Sequence, residues 1–357
     1  MDADVVRPDP SPAAMRKLIL CVALLSAALA VVSCRPYGPS SPFNHPLPSN
    51  PKLLPNSTGI VDRLDGWGPV QQLMVGQADT DSDYFHPVYA ARKTDPVYTV
   101  HCLRWTSSCK VEGHRVRIPS AARAAAGGDG HMAVVQPDRW EYDFWQVRDR
   151  PAGGGTLTVS HGGRTMIDGD GLGSDATAAE FGLAAGLIRG DQLQASRIDH
   201  ALFIHVRCTN GRSVYPAAPG TTGSICSDTT NAPPLGARIW LALSDAQIAA
   251  LPVPAWKKTV LRALHQYGGY VGDTTGGNVS WGLQTVSGST YTSFGKVDPM
   301  VKYVQGLRLQ RWEGAYYLDV DGGVDWASHL RVVDPCVSQG PARPEPADTS
   351  PRDVWDG

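Results

Sequence analysis

Residues 129–147, DGHMAVVQPDRWEYDFWQV, constrain the fold more than any other stretch of the chain. Two runs rich in β-branched and aromatic residues flank Pro137 and Asp138, the pattern of two strands joined by a tight turn. In the second run Trp140, Tyr142 and Phe144 alternate with Glu141, Asp143 and Trp145. Strand side chains alternate between faces. One face is therefore aromatic and suited to a core, while the other sets two carboxylates beside an indole. Register decides what joins them. A two-residue turn places Met132 and Val134 opposite Glu141 and Asp143. A three-residue loop, 137–139, pairs Met132 with Phe144 and Val134 with Tyr142. A slip of one residue exchanges the faces, and burial favours the second pairing, which adds His131 to the acidic face.

The rest of the chain agrees with a strand-rich reading. Gly 38, Pro 28 and only 18% charged residues in 357 imply many turns and few long helices. Residues 97–102, 115–118, 197–207, 237–243, 269–273 and 278–285 read as further strands. Gly162-Gly163, between 156–160 and 164–168, is a two-residue hairpin signal. Residues 254–267 form the one clear helix: Pro254 suits a first turn, Trp256, Val260, Leu264 and Tyr267 share a face, and Gly268-Gly269 ends it. The expected fold is mostly β, a β-sandwich or jelly roll with one peripheral helix. It occupies a single β-rich domain, 59–336. An extended Pro- and Ser-rich arm, 34–58, precedes it, and a tail, 337–357, reads as disordered.

The N-terminus reads as an export signal over 1–33. Arg16 and Lys17 precede the apolar run 18–32, and Met15 is the more natural start, with 1–14 outside the signal. Two processing sites compete. Ala28-Leu29-Ala30 suits ordinary cleavage, whereas Val31-Val32-Ser33-Cys34 resembles a lipobox that would acylate Cys34 and give the chain its one route to a membrane. Beyond Cys21, six cysteines remain, an even number that suits an oxidising compartment. Cys102 with Cys109, and Cys208 with Cys226, are the preferred local bridges. A net charge of −2 and the lack of a basic cluster with interleaved aromatics argue against nucleic acid.

Two acids beside a flat aromatic surface fit chemistry on a sugar. Asp143 is the leading acid or nucleophile, with Glu141 and His131 assisting, and Trp145 is a stacking platform. Arg164 is suited to a uronate carboxylate. Tyr267 and Asp273, at the helix end and the following strand, complete a candidate substrate-binding set with His200. Each has a plainer reading: a solvated strand face for the acids, a capped turn for His131, and a core position for Tyr267 and for His200 in RIDHALFIHV. Asp168, Asp170 and Asp175 resemble a calcium loop but depart from an EF-hand, with Leu172 at the fifth position and Ala179 at the twelfth. Polar turns are the alternative there and at the acidic clusters Asp79/Asp81/Asp83 and Asp319/Asp321/Asp325. No cofactor is required by any of these readings; calcium is the one that the residues accommodate.

The segments SPFNHPLP, DGHMAVVQP, YDFW, HGGR, ATAAEFGLAAGLI and RIDHAL, with Tyr267-Gly268 to Asp273, resemble a family of exported proteins of actinobacteria and related bacteria. The likeness covers most of 40–335, implies export, and brings no catalytic residues with it. The expectation is an exported glycan-active enzyme acting on a polysaccharide or cell-wall glycan, with glycoside hydrolysis first. A polysaccharide lyase with His131 or Tyr267 as base is the first rival, and a non-catalytic carbohydrate-binding or cell-envelope protein the second.

Overall fold

The computed structural model describes Arg35, residues 37–277 and residues 279–338. The segment read as an export signal, Cys34 and the chain beyond Ser338 lie outside the described residues. In chain order the strands begin with β1 (Leu73–Val75), β2 (Val88–Ala90), β3 (Val97–Cys102), β4 (Arg115–Arg117), β5 (Met132–Val135), β6 (Trp140–Asp149) and β7 (Gly155–Met166). They continue with β8 (Leu202–Val206), β9 (Arg238–Leu241), β10 (Gly269–Thr274), β11 (Gly282–Leu283), β12 (Tyr316–Leu318) and β13 (Leu330–Val333). The helices are short and peripheral: α1 (Ser57–Asp65), α2 (Gly190–Gln194), α3 (Asp245–Ala250), α4 (Ala255–Gln266), α5 (Ser289–Thr292), α6 (Pro299–Gly306), α7 (Trp326–His329) and α8 (Pro335–Ser338). The fold is thus mainly β with peripheral helices. Helix α8 takes in Val337 and Ser338, which the sequence assigned to the tail.

One sheet runs β2-β5-β6-β7-β3-β4, a second runs β11-β8-β10-β9-β13, and β1 pairs with β12. Most pairs are antiparallel, but β2 with β5, β3 with β7 and β8 with β10 are parallel. The organising hairpin has the register that burial favours, with Met132 opposite Phe144 and Val134 opposite Tyr142. Its three-residue loop closes with Arg139 at φ 73°, the left-handed position that such loops need. Met132, Val134, Tyr142 and Phe144 bury one face with Tyr98, Val100, Leu157 and Val159. Each such side chain contributes about 1.5–3 kcal/mol.

Gly162 and Gly163 do not turn the chain. They lie inside β7, where a Cβ on Gly163 would stand 2.1 Å from the Asp175 backbone nitrogen. The glycines mark a close approach of another backbone across the strand. That backbone is the irregular segment 171–188, which fills the space between the two large sheets. Toward the second sheet Ala179 N donates to Gly272 O at 2.9 Å, and Phe203 N donates to Gly186 O at 2.9 Å.

The described part of the arm is not extended throughout, since Pro42–Asn44 form a short 3-10 helix and Ser57 and Thr58 begin α1, and it is laid into the main core. Phe43 packs edge-on against Phe181 and Tyr270 at 5.3 and 5.1 Å. Buried Arg238 donates from Nε to Tyr267 O and from its NH2 nitrogen to His45 O, tying arm, helix end and sheet together. Both expected local disulfides are present, Cys102–Cys109 and Cys208–Cys226.

Candidate functional site

The acidic face of β6 is covered. Glu141 and Asp143 are fully buried, and their partners belong to the inter-sheet segment. Ser174 Oγ donates to Asp143 Oδ2 at 2.6 Å, Leu183 N to the same oxygen at 3.2 Å, and Ala184 N to Glu141 Oε1 at 2.9 Å. A segment without a regular ladder must find acceptors for its buried N–H groups elsewhere, and these two carboxyls supply them. Burial first, and the Glu141 charge second, push Asp143 well above the usual carboxylate range; burial also raises Glu141. The Tyr37 hydroxyl of the arm reaches Glu141 as well. Glu141 Oε2, Asp143 Oδ1 and Tyr37 Oη make no well-formed bond to any other group. Burial favours the protonated form of both carboxyls, and the Glu141 charge adds to this at Asp143.

His131 lies on the same face and is buried. Its Nε2 donates to Ala176 O at 3.1 Å, and its ring packs edge-on against His86 at 4.8 Å. Burial holds both rings below their usual pKa, hence neutral. The alternation of β6 does bring Asp143, Glu141 and His131 together as expected. It turns them toward a packed segment and not toward solvent, because Gly163 lets that segment lie down on the sheet. In this position they anchor 171–188 and meet no polymer.

The accessible chemistry starts one step further along the same face, at Trp145. Its Nε1 donates to Asp129 Oδ1 at 3.2 Å. Trp105 stacks on it at 6.2 Å and an interplanar angle of 17°, and the Arg104 guanidinium lies 5.8 Å from its ring. Trp105 sits in the loop that the Cys102–Cys109 disulfide closes, at φ 46°, and is 61% exposed. An indole held out in water on a constrained loop is costly to solvate and has no role in the core.

Asp129 holds one side of this aromatic surface, and Asp273 is linked to it through the Asp129 charge. Asp273, at the end of β10, is half-buried and accepts from Thr274 N at 2.7 Å. Burial, helped by the Asp129 charge, raises its pKa to about 7 against the donors that lower it. On the other side His161 packs edge-on against Trp105 at 5.4 Å, and its Nε2 stands 3.8 Å from Asp175 Oδ2. Lys110 Nζ bridges Asp175 at 2.8 Å and Glu180 at 2.7 Å. Burial raises both carboxyls, yet His161 and Lys110 draw Asp175 below its usual value while Glu180 stays above it. Glu180 itself is held at φ 58°.

The remaining candidates lie elsewhere. Arg164 is on the opposite, aromatic face of the sheet, because it pairs with Tyr142 and not with Asp143. Its guanidinium lies 4.1 Å from the Trp140 ring. His200 is buried: Gln192 Nε2 donates to its Nε2 at 2.7 Å, its Nδ1 donates to Ala201 O, and burial lowers its pKa to about 4. Tyr267 closes α4 as a core residue. The carboxylates of the calcium-like loop have separate partners: Arg139 holds Asp168, Leu172 N donates to Asp170 Oδ1, and Lys110 holds Asp175. Among the described residues no group of three or more His, Cys, Asp or Glu side chains is gathered as a metal would need.

Sequence reasoning reached Trp145, Asp273 and Asp175 but missed Trp105, His161, Lys110 and Glu180. The short Cys102–Cys109 loop around Trp105 was the one signal that pointed there. No family model matches the chain, and neither curated proteins nor solved structures gave a match.

Proposed function

We propose that this is an exported glycan-binding protein that stacks sugar rings on the Trp105–Trp145 surface. The carrying observation is the stacked indole pair, Trp105 exposed and Trp145 half-buried, with an arginine beside it. Sugar rings present apolar C–H faces that suit an indole, and hydroxyls that suit flanking carboxylates, amides and guanidinium groups. Export is supported by the basic-then-apolar N-terminal pattern and by the two disulfides, which belong to oxidising compartments. Affinity electrophoresis against bacterial and plant polysaccharides tests the reading. Retardation by at least one glycan that disappears in Trp105→Ala supports it; equal migration of both proteins in every gel overturns it.

A second reading, glycoside hydrolysis, is favoured by Asp273. A carboxyl with its pKa near 7 that feels the charge of Asp129, the acceptor of the Trp145 indole N–H, suits a general acid. In this reading Asp129 is the partner carboxylate and Trp145 the platform, while Asp143 and Glu141 hold the scaffold. New reducing ends from a retained glycan, lost in Asp273→Asn with binding kept, distinguish hydrolysis from binding alone. An unsaturated product absorbing in the ultraviolet would instead point to a lyase.

A further inference from the structure

Residues 305–314, QGLRLQRWEG, form ten consecutive exposed positions from the last two residues of α6 onward. Within them Leu307, Leu309 and Trp312 stand in water, Trp312 at 65% exposure. At the other end of α6, residues 294–297 are exposed too, and present Phe294 and Val297. These five side chains are half of the ten large apolar groups exposed among the described residues. Between the two tips the helix is pinned by buried Met300 and Val304, with Asp298 capping its first turn through Met300 N at 2.8 Å. The outer loop is shaped by Arg308 and Glu313 at positive φ and by a bridge between Trp312 and Ala315.

Charge selects the partner. Lys296, Lys302, Arg308 and Arg311 are all exposed, and Glu313 is the one exposed acid within residues 294–314, while exposed Asp191 on the neighbouring α2 is paired with Arg189. Among the described residues none of these four cations is in an ion pair. A protein partner would take up the leucines and the indole but would have to answer four cations. A polyanionic glycan would answer the cations and leave the leucines in water. A bilayer with anionic headgroups answers both at once: indole and leucine side chains seat at the headgroup–acyl boundary while guanidinium and ammonium groups meet phosphates.

We infer that the 294–297 and 305–314 tips dock this protein onto an anionic lipid surface. The inference is independent of the glycan reading, because it uses none of the residues around Trp105 and Trp145. It also needs no acyl group on Cys34.

Co-sedimentation of Cys34–Gly357, the compact unit that holds all the described residues, tests it. The vesicles are phosphatidylcholine alone, or an equal mixture with phosphatidylglycerol. The protein is expected to pellet with the anionic vesicles and to stay in solution with the neutral ones. Arg308→Glu with Arg311→Glu, and separately Leu309→Ser with Trp312→Ser, should each weaken partitioning about tenfold or more. All four positions are exposed, so unchanged circular dichroism and thermal midpoints are expected. If one double variant loses its fold, the other decides. No pelleting with anionic vesicles overturns the inference, as does pelleting that a folded double variant leaves unchanged.

Discussion

Ser174 Oγ and Asp143 Oδ2 meet at 2.6 Å in a fully buried contact, and through it the first sheet holds the segment that presents Asp175 and Glu180. A carboxylate on a strand is here a ligand for backbone and hydroxyl donors across an interlayer. The accessible surface around Trp145 depends on that buried bond for its shape.

Asp143→Ala and Asp143→Asn should therefore part company. Alanine leaves the Ser174 hydroxyl and Leu183 N unsatisfied and strands Glu141, at about 2–5 kcal/mol. Asparagine keeps an acceptor for both donors and turns an N–H toward Glu141, so its cost is about 1 kcal/mol or less. Urea unfolding at pH 7 measures both. Equal losses in the two variants would show that the charge, not the bonding pattern, matters at this position.

Stability should fall as pH rises above about 6.5. Asp83, at about 6, and Asp273, at about 7, are raised above their unfolded values near 3.8. Each binds its proton more tightly when folded, so each loses stability between pH 4 and its folded pKa. His200 and His205, lowered to about 4, act in the opposite sense and lose stability as pH falls from 6.5 toward 4. The two sets offset one another on the acid side. Above 6.5 the histidines are neutral in both states and Asp83 is ionised in both, so of these four groups only Asp273 still acts, up to about pH 7. Thermal midpoints should decline as pH rises from about 6.5 through about 7, and less so in Asp273→Asn. Identical profiles in the two proteins over that window would contradict the assignment.

Gly163→Ala should be poorly tolerated despite its place in a strand, where alanine is ordinarily harmless. Its Cβ would meet Asp175 N at 2.1 Å and Ser174 backbone atoms at 2.9–3.0 Å. Backbone cannot rotate away as a side-chain tip can, so 174–175 must lift. The expected cost is about 1–3 kcal/mol, with faster proteolysis within 171–188. An alanine variant with wild-type stability and an unchanged digestion pattern would refute the close approach.

The same glycine pair shows why part of the molecule was readable and part was not. Alternation in 140–145 is a local property, and it gave the faces and register of the hairpin correctly. The amphipathic face of α4 and the two short-range disulfides were legible for the same reason. Whether the acidic face is wet depends on what lies on it, and 171–188 has no periodicity to reveal that it packs between sheets. Gly162-Gly163 carries the same composition in a turn as under a crossing backbone. Trp105 and His161 come together only because β3 and β7 pair in parallel across more than fifty residues, which no local pattern encodes.

Opening the Cys102–Cys109 bridge should harm recognition more than folding. The closed loop is short, so the chain-entropy model assigns it only about 2 kcal/mol. Leu103 N and Arg104 N donate to Val159 O and Ser160 O at 2.9 Å each and hold the start of the loop without help from sulfur. Beyond the loop Lys110 stays fixed on Asp175 and Glu180, but Ser108 N and Cys109 N bond only within the loop, back to Trp105 O, so without the bridge fewer contacts keep Trp105 at its positive φ and over Trp145. A Cys102→Ser, Cys109→Ser variant should stay folded with a modestly lower thermal midpoint. Its glycan retardation should fall to that of Trp105→Ala, because an unordered indole must be fixed again on every binding event. Wild-type retardation in this variant would mean that the stacked pair forms without the disulfide, and would remove the loop from the recognition surface.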